Sequence, residues 1–170
     1  MTLSYELQKS LDVYHQTHLK RTDYFRGNSL VGYISEIKGL IDHSNIKTCL
    51  DYGCGQAKAW SFHNLQQLFG LEKITLFDPG VDKYSSRPVE QADLVLCIDV
   101  LEHVPEKFVD EVLSDICSFA KKAIFLNIST RPASKRLVDG TNAHATVKPK
   151  QWWQSKIDSL DKHIIAHYSL

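Results

Sequence analysis

A short run of small residues between a predicted strand and a predicted helix is the first place where this chain can do chemistry. The strand ends in Asp51-Tyr52, and Gly53-Cys54-Gly55 follow before the helix begins. Glycines at such a turn let the backbone approach a ligand at the helix N-terminus. The next predicted strand ends at Asp78-Pro79, where a carboxylate can accept both hydroxyls of a ribose. These residues together indicate a nucleoside site.

The charge of Asp51 favours one class of nucleoside over another. Its carboxylate lies two positions before Gly53, so it would repel a pyrophosphate and attract an ammonium or a sulfonium group. At about 4 Å and an effective dielectric near 20, either effect reaches several kcal/mol before desolvation. The third small residue is Ala57, so the full G-x-G-x-x-G of the dinucleotide fingerprint is absent. We therefore expect a nucleoside with a cationic amino-acid tail rather than NAD. The alternative is a turn that needs its glycines for packing alone.

A second group of chemically capable side chains follows the third predicted strand. Asp99, Glu102 and His103 have spacings of three and four residues, which put them on one face of a helical turn. They stand at the carboxyl end of that strand, where open α/β sheets bind their ligands. His144 lies further along the chain in a predicted turn.

The elements that must position these residues alternate along the chain. Strands are predicted over 47–52, 73–77, 93–100, 123–128 and 163–168. Helices are predicted over 3–18, 30–42, 58–69, 107–121 and 149–160. Strands that alternate with helices imply βαβ crossovers and a parallel sheet covered on both faces. The predicted fold class is therefore α/β, a Rossmann-like, doubly wound and mostly parallel sheet.

Length and composition limit the possible functions. The 170 residues make one domain, with N-terminal helices over 1–45, a core over 46–130 and a substrate-side segment over 131–170. Twenty basic and twenty acidic residues give a net charge of zero, which does not support a nucleic-acid partner. Four cysteines without a C-x-x-C pair, no leader and no long apolar run predict a cytoplasmic protein without a membrane span. Nothing in the sequence indicates an oligomeric state.

Taken in order, these motifs resemble those of the class I S-adenosylmethionine-dependent methyltransferases. The resemblance covers residues 47–127 and rests on LDYGCG, LFDPG and ADLVLCIDVLEHVPE. It implies that Asp51 and the turn Gly53-Cys54-Gly55 hold the methionine part of S-adenosylmethionine. Asp78, with Pro79, would lie at the ribose, and Asp99 would also contact the cofactor. The sequence departs from the family in two places. Only 81–91 separate Asp78 from the next strand, so the usual third strand is not predicted, and no seventh strand is predicted after 163–168.

The second group is similar to that of two methyltransferase subsets, the ubiquinone-biosynthesis O-methyltransferases and the small-RNA 3′-terminal 2′-O-methyltransferases. Both carry an acid-x-x-Glu-His segment and a later histidine, and hold a divalent metal with them. Carried over by position, the ligands of Mg²⁺, Mn²⁺, Co²⁺ or Zn²⁺ would be Asp99, Glu102, His103 and His144. A metal would lower the pKa of a substrate hydroxyl and hold it facing the methyl group. Without one, His103 or His144 is the candidate catalytic base.

The expected activity is methyl transfer from S-adenosylmethionine to a hydroxyl of a small or nucleotide-like molecule. The alternatives are a metal-independent methyltransferase of a small metabolite or glycan, a cofactor-binding domain without chemistry, and an NAD-dependent oxidoreductase. The substrate-side segment carries five basic side chains: Arg131, Lys135, Arg136, Lys148 and Lys150. These basic side chains allow an anionic acceptor, and the alternative is a solvated loop. One of Trp152 and Trp153 should lie in the core and the other over the site. Several N-terminal side chains can cover the site or simply pack, namely Tyr14, His15, His18, Tyr24 and Phe25.

Overall fold

A single parallel sheet forms the centre of the structure, a computed structural model that describes residues 5–169. Its strands are β1 (Thr48–Tyr52), β2 (Lys73–Phe77), β3 (Ala92–Ile98), β4 (Ala120–Ser129) and β5 (Ile164–Ser169). They lie in the order β2-β1-β3-β4-β5, and every neighbouring pair is parallel. This confirms the predicted α/β class with a Rossmann-like, doubly wound sheet.

Helices cover both faces of the sheet because its strands are apolar on both sides. The helices are α1 (Tyr5–Lys20), α2 (Ile34–His43), α3 (Lys58–Phe62), α4 (Leu65–Phe69), α5 (Val109–Phe119) and α6 (Lys150–Ile157). In β3, Leu94 and Leu96 pack with α2, α3 and α4, whereas Val95 and Cys97 pack with α5 and α6. Successive strand residues point to opposite faces, so a fully buried strand is an uninterrupted apolar run.

Two predicted helices differ from the observed ones. The segment predicted as one helix over 58–69 forms α3 and α4, because Asn64 adopts a left-handed conformation (φ +47°) between them. The helix predicted over 30–42 begins as a 3-10 turn, Ser29–Tyr33, before α2. Between Asp78 and Gln91 the chain forms a 3-10 turn, Asp82–Tyr84, and no strand, as expected from its length. None of the helices within residues 5–169 combines the length and the apolar character needed to cross a bilayer.

The parallel arrangement brings the carboxyl ends of the strands to one edge of the sheet. Asp51 of β1 is in register with Leu76 of β2 and Leu96 of β3. Asp78 and Asp99 follow directly after the last residues of β2 and β3. Helix α1 packs on the segment that follows β4, since the Thr17 hydroxyl accepts a hydrogen bond from the backbone N–H of Val138 at 3.2 Å. The fold therefore gathers the candidate site residues on one side of the molecule.

Candidate active site

A cavity of about 1070 Å³ lies at the carboxyl ends of the strands. Every site residue predicted from the sequence lines it: Asp51, Gly53, Cys54, Gly55, Asp78, Pro79, Asp99, Glu102, His103 and His144. The glycine turn and the group around His103 are thus parts of one site. Crevices at this edge are where open α/β sheets bind their ligands.

The glycines of the turn are required by contacts within the chain. Gly53 and Gly55 have φ angles of +82° and +56°, a region that favours glycine. A Cβ atom on Gly53 would lie 2.4 Å from Cγ2 of Val100, and one on Gly55 would lie 2.3 Å from the carbonyl oxygen of Phe25. Both positions therefore require glycine for packing within the chain, and both glycines also line the cavity.

The segment Phe25–Gly27 occupies the backbone N–H groups at the start of α3. Gln56 N–H donates to the carbonyl of Phe25 at 3.0 Å, and Lys58 N–H donates to that of Arg26 at 2.9 Å. Ala59 N–H donates to the carbonyl of Gly27 at 3.4 Å. A pyrophosphate in a dinucleotide site binds such N–H groups. Because these donors are already paired, the turn is poorly suited to a dinucleotide.

Asp51 is a buried carboxyl group with an indole as its hydrogen-bond donor. Nε1–H of Trp60 donates to Oδ2 of Asp51 at 2.6 Å. Burial, with a smaller contribution from Asp78, raises the pKa of Asp51 to about 7, while the Trp60 bond opposes that rise. A cation that enters the cavity would therefore favour the ionised form of this carboxyl group. Sequence reasoning did not anticipate Trp60, since its spacing from Asp51 matches no motif.

Asp78 is held by two backbone donors. Its Oδ2 accepts the N–H of Gly55 at 2.8 Å, and its Oδ1 accepts the N–H of Gly80 at 2.8 Å. Burial raises the pKa of this carboxyl group, and these two bonds and the nearby His18 oppose the shift. Each carboxylate oxygen retains further acceptor capacity, which suits a pair of hydroxyls.

Two imidazoles face each other beside the cavity with their Nδ1 atoms fixed. The rings of His103 and His144 meet edge to face with centroids 4.9 Å apart. Nδ1 of His103 lies 2.7 Å from the carbonyl oxygen of Ala143, and Nδ1 of His144 lies 2.6 Å from that of Arg131. A carbonyl only accepts, so each Nδ1 carries the hydrogen and each neutral ring has its lone pair on Nε2.

His103 is a neutral base in this environment. Burial, followed by the neighbouring His144, lowers its pKa to about 4, although the bond to Ala143 opposes the shift. The Tyr14 hydroxyl of α1 donates to the same Ala143 carbonyl and lies 2.7 Å from Nδ1 of His103. The Phe25 ring packs against the Tyr14 and His103 rings, with its centroid 5.5 Å from the centroid of each. Part of the predicted N-terminal cover therefore contacts a candidate catalytic residue directly.

Glu102 is completely buried, and only one of its two carboxyl oxygens is hydrogen-bonded. Its Oε1 accepts the backbone N–H of Ser129 at 2.9 Å, whereas Oε2 has no hydrogen-bond partner among the described residues. Burial, with nearby Asp99, raises the pKa of Glu102 to about 8. Asp99 itself has a left-handed backbone (φ +57°) and accepts a hydrogen bond from the side-chain amide of Asn127. A polar residue at the end of a buried strand was the signal in the sequence that marks Asn127.

The carboxylate oxygens and imidazole nitrogens around Glu102 are atom types that bind divalent cations. In residues 5–169, no three His, Cys, Asp or Glu side chains are gathered as a ready metal-binding group. Nevertheless, Glu102 offers an unpartnered carboxylate oxygen, and each histidine gives Nδ1–H to a carbonyl, as metal-ligating imidazoles usually do. The metal ligands carried over by resemblance stay a prediction.

The basic residues of the substrate side divide into two groups. Arg131 and Lys135 line the cavity. The others contact different parts of the protein: Arg136 bonds to the carbonyl of Gly140, Lys148 pairs with Glu106, and Lys150 lies over the Tyr168 ring.

The two adjacent tryptophans lie in different environments. Trp153 is fully buried in the core below α6, as expected for one of the pair. Trp152 is not among the residues that line the cavity, and the ammonium groups of Lys148 and Lys156 lie over its ring instead. The expectation that it covers the site is therefore wrong.

Comparison of the chain with protein-family models, with curated protein sequences and with solved structures found no match. What can be said of the function therefore rests on the fold class and on the geometry of this cavity.

Proposed function

We propose that this protein is a methyltransferase that uses S-adenosylmethionine and methylates a hydroxyl oxygen of a small or nucleotide-like molecule. The observation that carries the proposal is the meeting of Asp51, Asp78 and the imidazoles of His103 and His144 in one cavity. The first two suit a nucleoside with a cationic tail, and the imidazoles suit removal of a proton. The proposal includes a cytoplasmic location, where the four free cysteines would stay reduced.

The pairing of the N–H groups at the start of α3 favours this cofactor over NAD. S-adenosylmethionine has no phosphate and needs no such donors, whereas its ammonium and sulfonium groups match the buried Asp51. Arg26 lines the cavity from the segment that packs on the glycine turn, so its guanidinium is available for the carboxylate of the methionine part. Asp78 would accept the ribose hydroxyls.

In this mechanism the chain mainly positions the reactants and removes one proton. When bound, S-adenosylmethionine supplies a methyl group from its sulfonium and leaves as a neutral thioether. Nε2 of His103 accepts the hydroxyl proton as the C–O bond forms, because that atom carries the lone pair and has no hydrogen bond to the described residues. His144, whose Nε2 is free in the same way, is the second candidate for this role.

The unpartnered oxygen of Glu102 favours a metal-assisted form of the same reaction. Glu102, His103 and His144, together with Asp99, would hold the cation. A bound divalent cation would lower the pKa of the acceptor hydroxyl. A neutral His103 suits both forms, because a metal ligand and a general base each need the free lone pair on Nε2.

Calorimetric titration tests the cofactor first. We expect one-site binding of S-adenosylhomocysteine to the wild type, and affinity for NAD lower by at least about a hundredfold. The Asp51→Asn variant should lose affinity for S-adenosylmethionine, whose sulfonium is cationic, more than for S-adenosylhomocysteine. Tighter binding of NAD would contradict the proposal and favour an oxidoreductase.

A second titration decides between the two forms of the mechanism. Mn²⁺ is titrated into protein saturated with S-adenosylhomocysteine, for the wild type, His144→Ala and the control His63→Ala, whose side chain is exposed outside this cavity. Binding that only His144→Ala abolishes supports the metal. If Mn²⁺ does not bind the wild type, the metal-assisted form is wrong. Cofactor binding without any turnover over a panel of hydroxyl acceptors would indicate a domain without chemistry.

A further inference from the structure

Two cationic side chains on the cavity are left without an acidic partner. Arg131 and Lys135 follow β4 on the loop that carries His144. Within residues 5–169, no carboxylate oxygen lies within 4.0 Å of the charged nitrogens of either side chain. Arg87 also lines the cavity, but its guanidinium is paired with Asp115. Arg131 and Lys135 therefore have charge available for a ligand.

Each of the two cations is structurally tied to one of the facing histidines. The backbone carbonyl of Arg131 accepts the hydrogen bond from Nδ1 of His144 at 2.6 Å. The ammonium of Lys135 lies 4.9 Å from the ring centroid of Tyr24 and 5.5 Å from that of Phe25. The Phe25 ring in turn lies 5.5 Å from that of His103. Lys135 is thus placed near His103 through its aromatic neighbours, whereas Arg131 is linked to His144 through its backbone, and both side chains line the same cavity as the imidazoles.

Among the described residues, four of the seven acids that line the cavity lie on the sheet side, and the other three are Asp23, Glu111 and Asp115. Asp51, Asp78, Asp99 and Glu102 lie at or just after the ends of β1, β2 and β3. They would repel an anion placed near the glycine turn. Asp23 is the acid nearest in sequence to the aromatic rings below Lys135, and it is exposed and forms no ion pair with Lys135. Asp115 is paired with Arg87, and Asp139 on the loop is exposed and bonded to Thr141, so the loop side of the cavity favours an anionic group more than the sheet side does.

We propose that the methyl acceptor is a small molecule with an anionic group, a phosphate ester or a carboxylate, which Arg131 and Lys135 bind while its hydroxyl faces His103 and His144. The guanidinium of Arg131 suits bidentate contact with either group. Lys135, held over two aromatic rings, supplies a second positive charge. This inference rests on the proposed function, because it assigns the acceptor of the same reaction.

The test measures binding of three matched probes, phenyl phosphate, benzoate and phenol, in the presence and absence of S-adenosylhomocysteine. The variants are Arg131→Gln and Lys135→Gln, with Lys148→Gln and Lys150→Gln as controls whose charges contact Glu106 and Tyr168 instead. We expect at least one anion to bind more tightly than phenol. Each of the first two variants should weaken that anion about tenfold or more without affecting phenol, and the controls should not.

Side-chain NMR signals of the histidines locate the bound anion. Shifts of the His103 and His144 imidazole signals on titration support the proposal. No preference for either anion, equal losses in the control variants, or binding that leaves both imidazoles unperturbed would overturn it. The anion that binds more tightly, phenyl phosphate or benzoate, indicates which group the acceptor carries. If S-adenosylhomocysteine fails to bind, the proposed function is wrong, whereas the titrations without it still decide whether the cations form an anion site.

Discussion

Asp51 is a carboxyl group in apolar surroundings whose ionisation depends on what enters the cavity. Its pKa is raised from 3.8 to about 7 by burial, and the folded protein therefore retains a proton that the unfolded chain releases. Between those two values the unfolded state binds fewer protons, so the free energy of unfolding falls as the pH rises. Without ligand, Asp51 thus lowers the free energy of unfolding at neutral pH, and the same carboxyl group gives the cavity an anionic site.

The Asp51→Asn variant should remove this pH dependence. The amide can still accept the hydrogen bond from Trp60. Relative to the wild type, we expect its free energy of unfolding to increase from about pH 4 to about pH 7 by at most about 4 kcal/mol, and then to remain constant. Denaturant unfolding at several pH values measures this difference, with Asp161→Asn, at an exposed position, as the control. A gain that does not change between those pH values would contradict the raised pKa.

Tyr14 connects α1 to the candidate base, and its hydroxyl can be removed with little change in shape. Tyr14→Phe deletes the hydrogen bond to Ala143 and the contact with Nδ1 of His103. We expect a loss of about 1 kcal/mol in the free energy of unfolding, since His103 still satisfies the Ala143 carbonyl. Tyr24→Phe is the matched control, because the Tyr24 hydroxyl has no hydrogen bond to the described residues. Equal losses in the two variants would show that the Tyr14 hydroxyl contributes no specific stability.

At the residue scale, the sequence predicted which side chains would gather at one edge of the sheet but not the atoms they contact. All ten predicted site residues line one cavity because strand ends of a parallel sheet meet at one edge. The Trp60 bond to Asp51 and the carbonyl partners of His103 and His144 depend on loop conformation. Loop conformation is set by tertiary packing that periodicity does not encode.

At the scale of elements, the glycine turn is where the N-terminal segment docks on the core. Gly55→Ala would place a Cβ atom 2.3 Å from the Phe25 carbonyl oxygen, in addition to the cost of a left-handed alanine. Gly70→Ala is the matched control, since Gly70 has a similar φ of +68° and a Cβ atom there would meet nothing within 4 Å among the described residues. The comparison separates a steric clash from backbone strain.

We expect Gly70→Ala to cost about 1 kcal/mol in the free energy of unfolding, from backbone strain alone. Gly55→Ala should cost at least about 2 kcal/mol and should also weaken binding of S-adenosylhomocysteine, because the segment Phe25–Gly27 must move away from the turn. Denaturant unfolding and calorimetry measure the two effects. Equal costs in both variants would mean that the segment adapts without loss.

The elements themselves were predictable to the extent that their patterns are strong. The strand over 73–77 is observed as predicted, since alternation with helices and a bounded apolar run indicate it clearly. The single helix over 58–69 was wrong because Asn64 leaves the helical region, which asparagine does at lower cost than most residues. Apolar periodicity continues across such a break, so the pattern alone does not reveal it.

At the scale of the whole molecule, a net charge of zero conceals a separation of charge within the cavity. The acids that would bind the cofactor lie at the strand ends, and Asp51 among them is buried. The cations that would bind the acceptor lie on the loop, where Arg131 is exposed and Lys135 is half-buried. Salt screens exposed charges much more than buried ones.

This separation predicts different salt dependence for the two ligands. Between about 50 mM and about 500 mM NaCl, the affinity for phenyl phosphate should fall several-fold, because the Debye length shrinks from over 10 Å to below 5 Å. The affinity for S-adenosylhomocysteine should fall by a smaller factor over the same range, since the buried Asp51 is screened much less than the exposed Arg26 and Arg131. Calorimetry at the two salt concentrations measures both ligands on one preparation, and phenol serves as the uncharged control. Equal salt dependence of the two ligands would contradict a cavity whose cofactor end is more shielded from salt than its acceptor end.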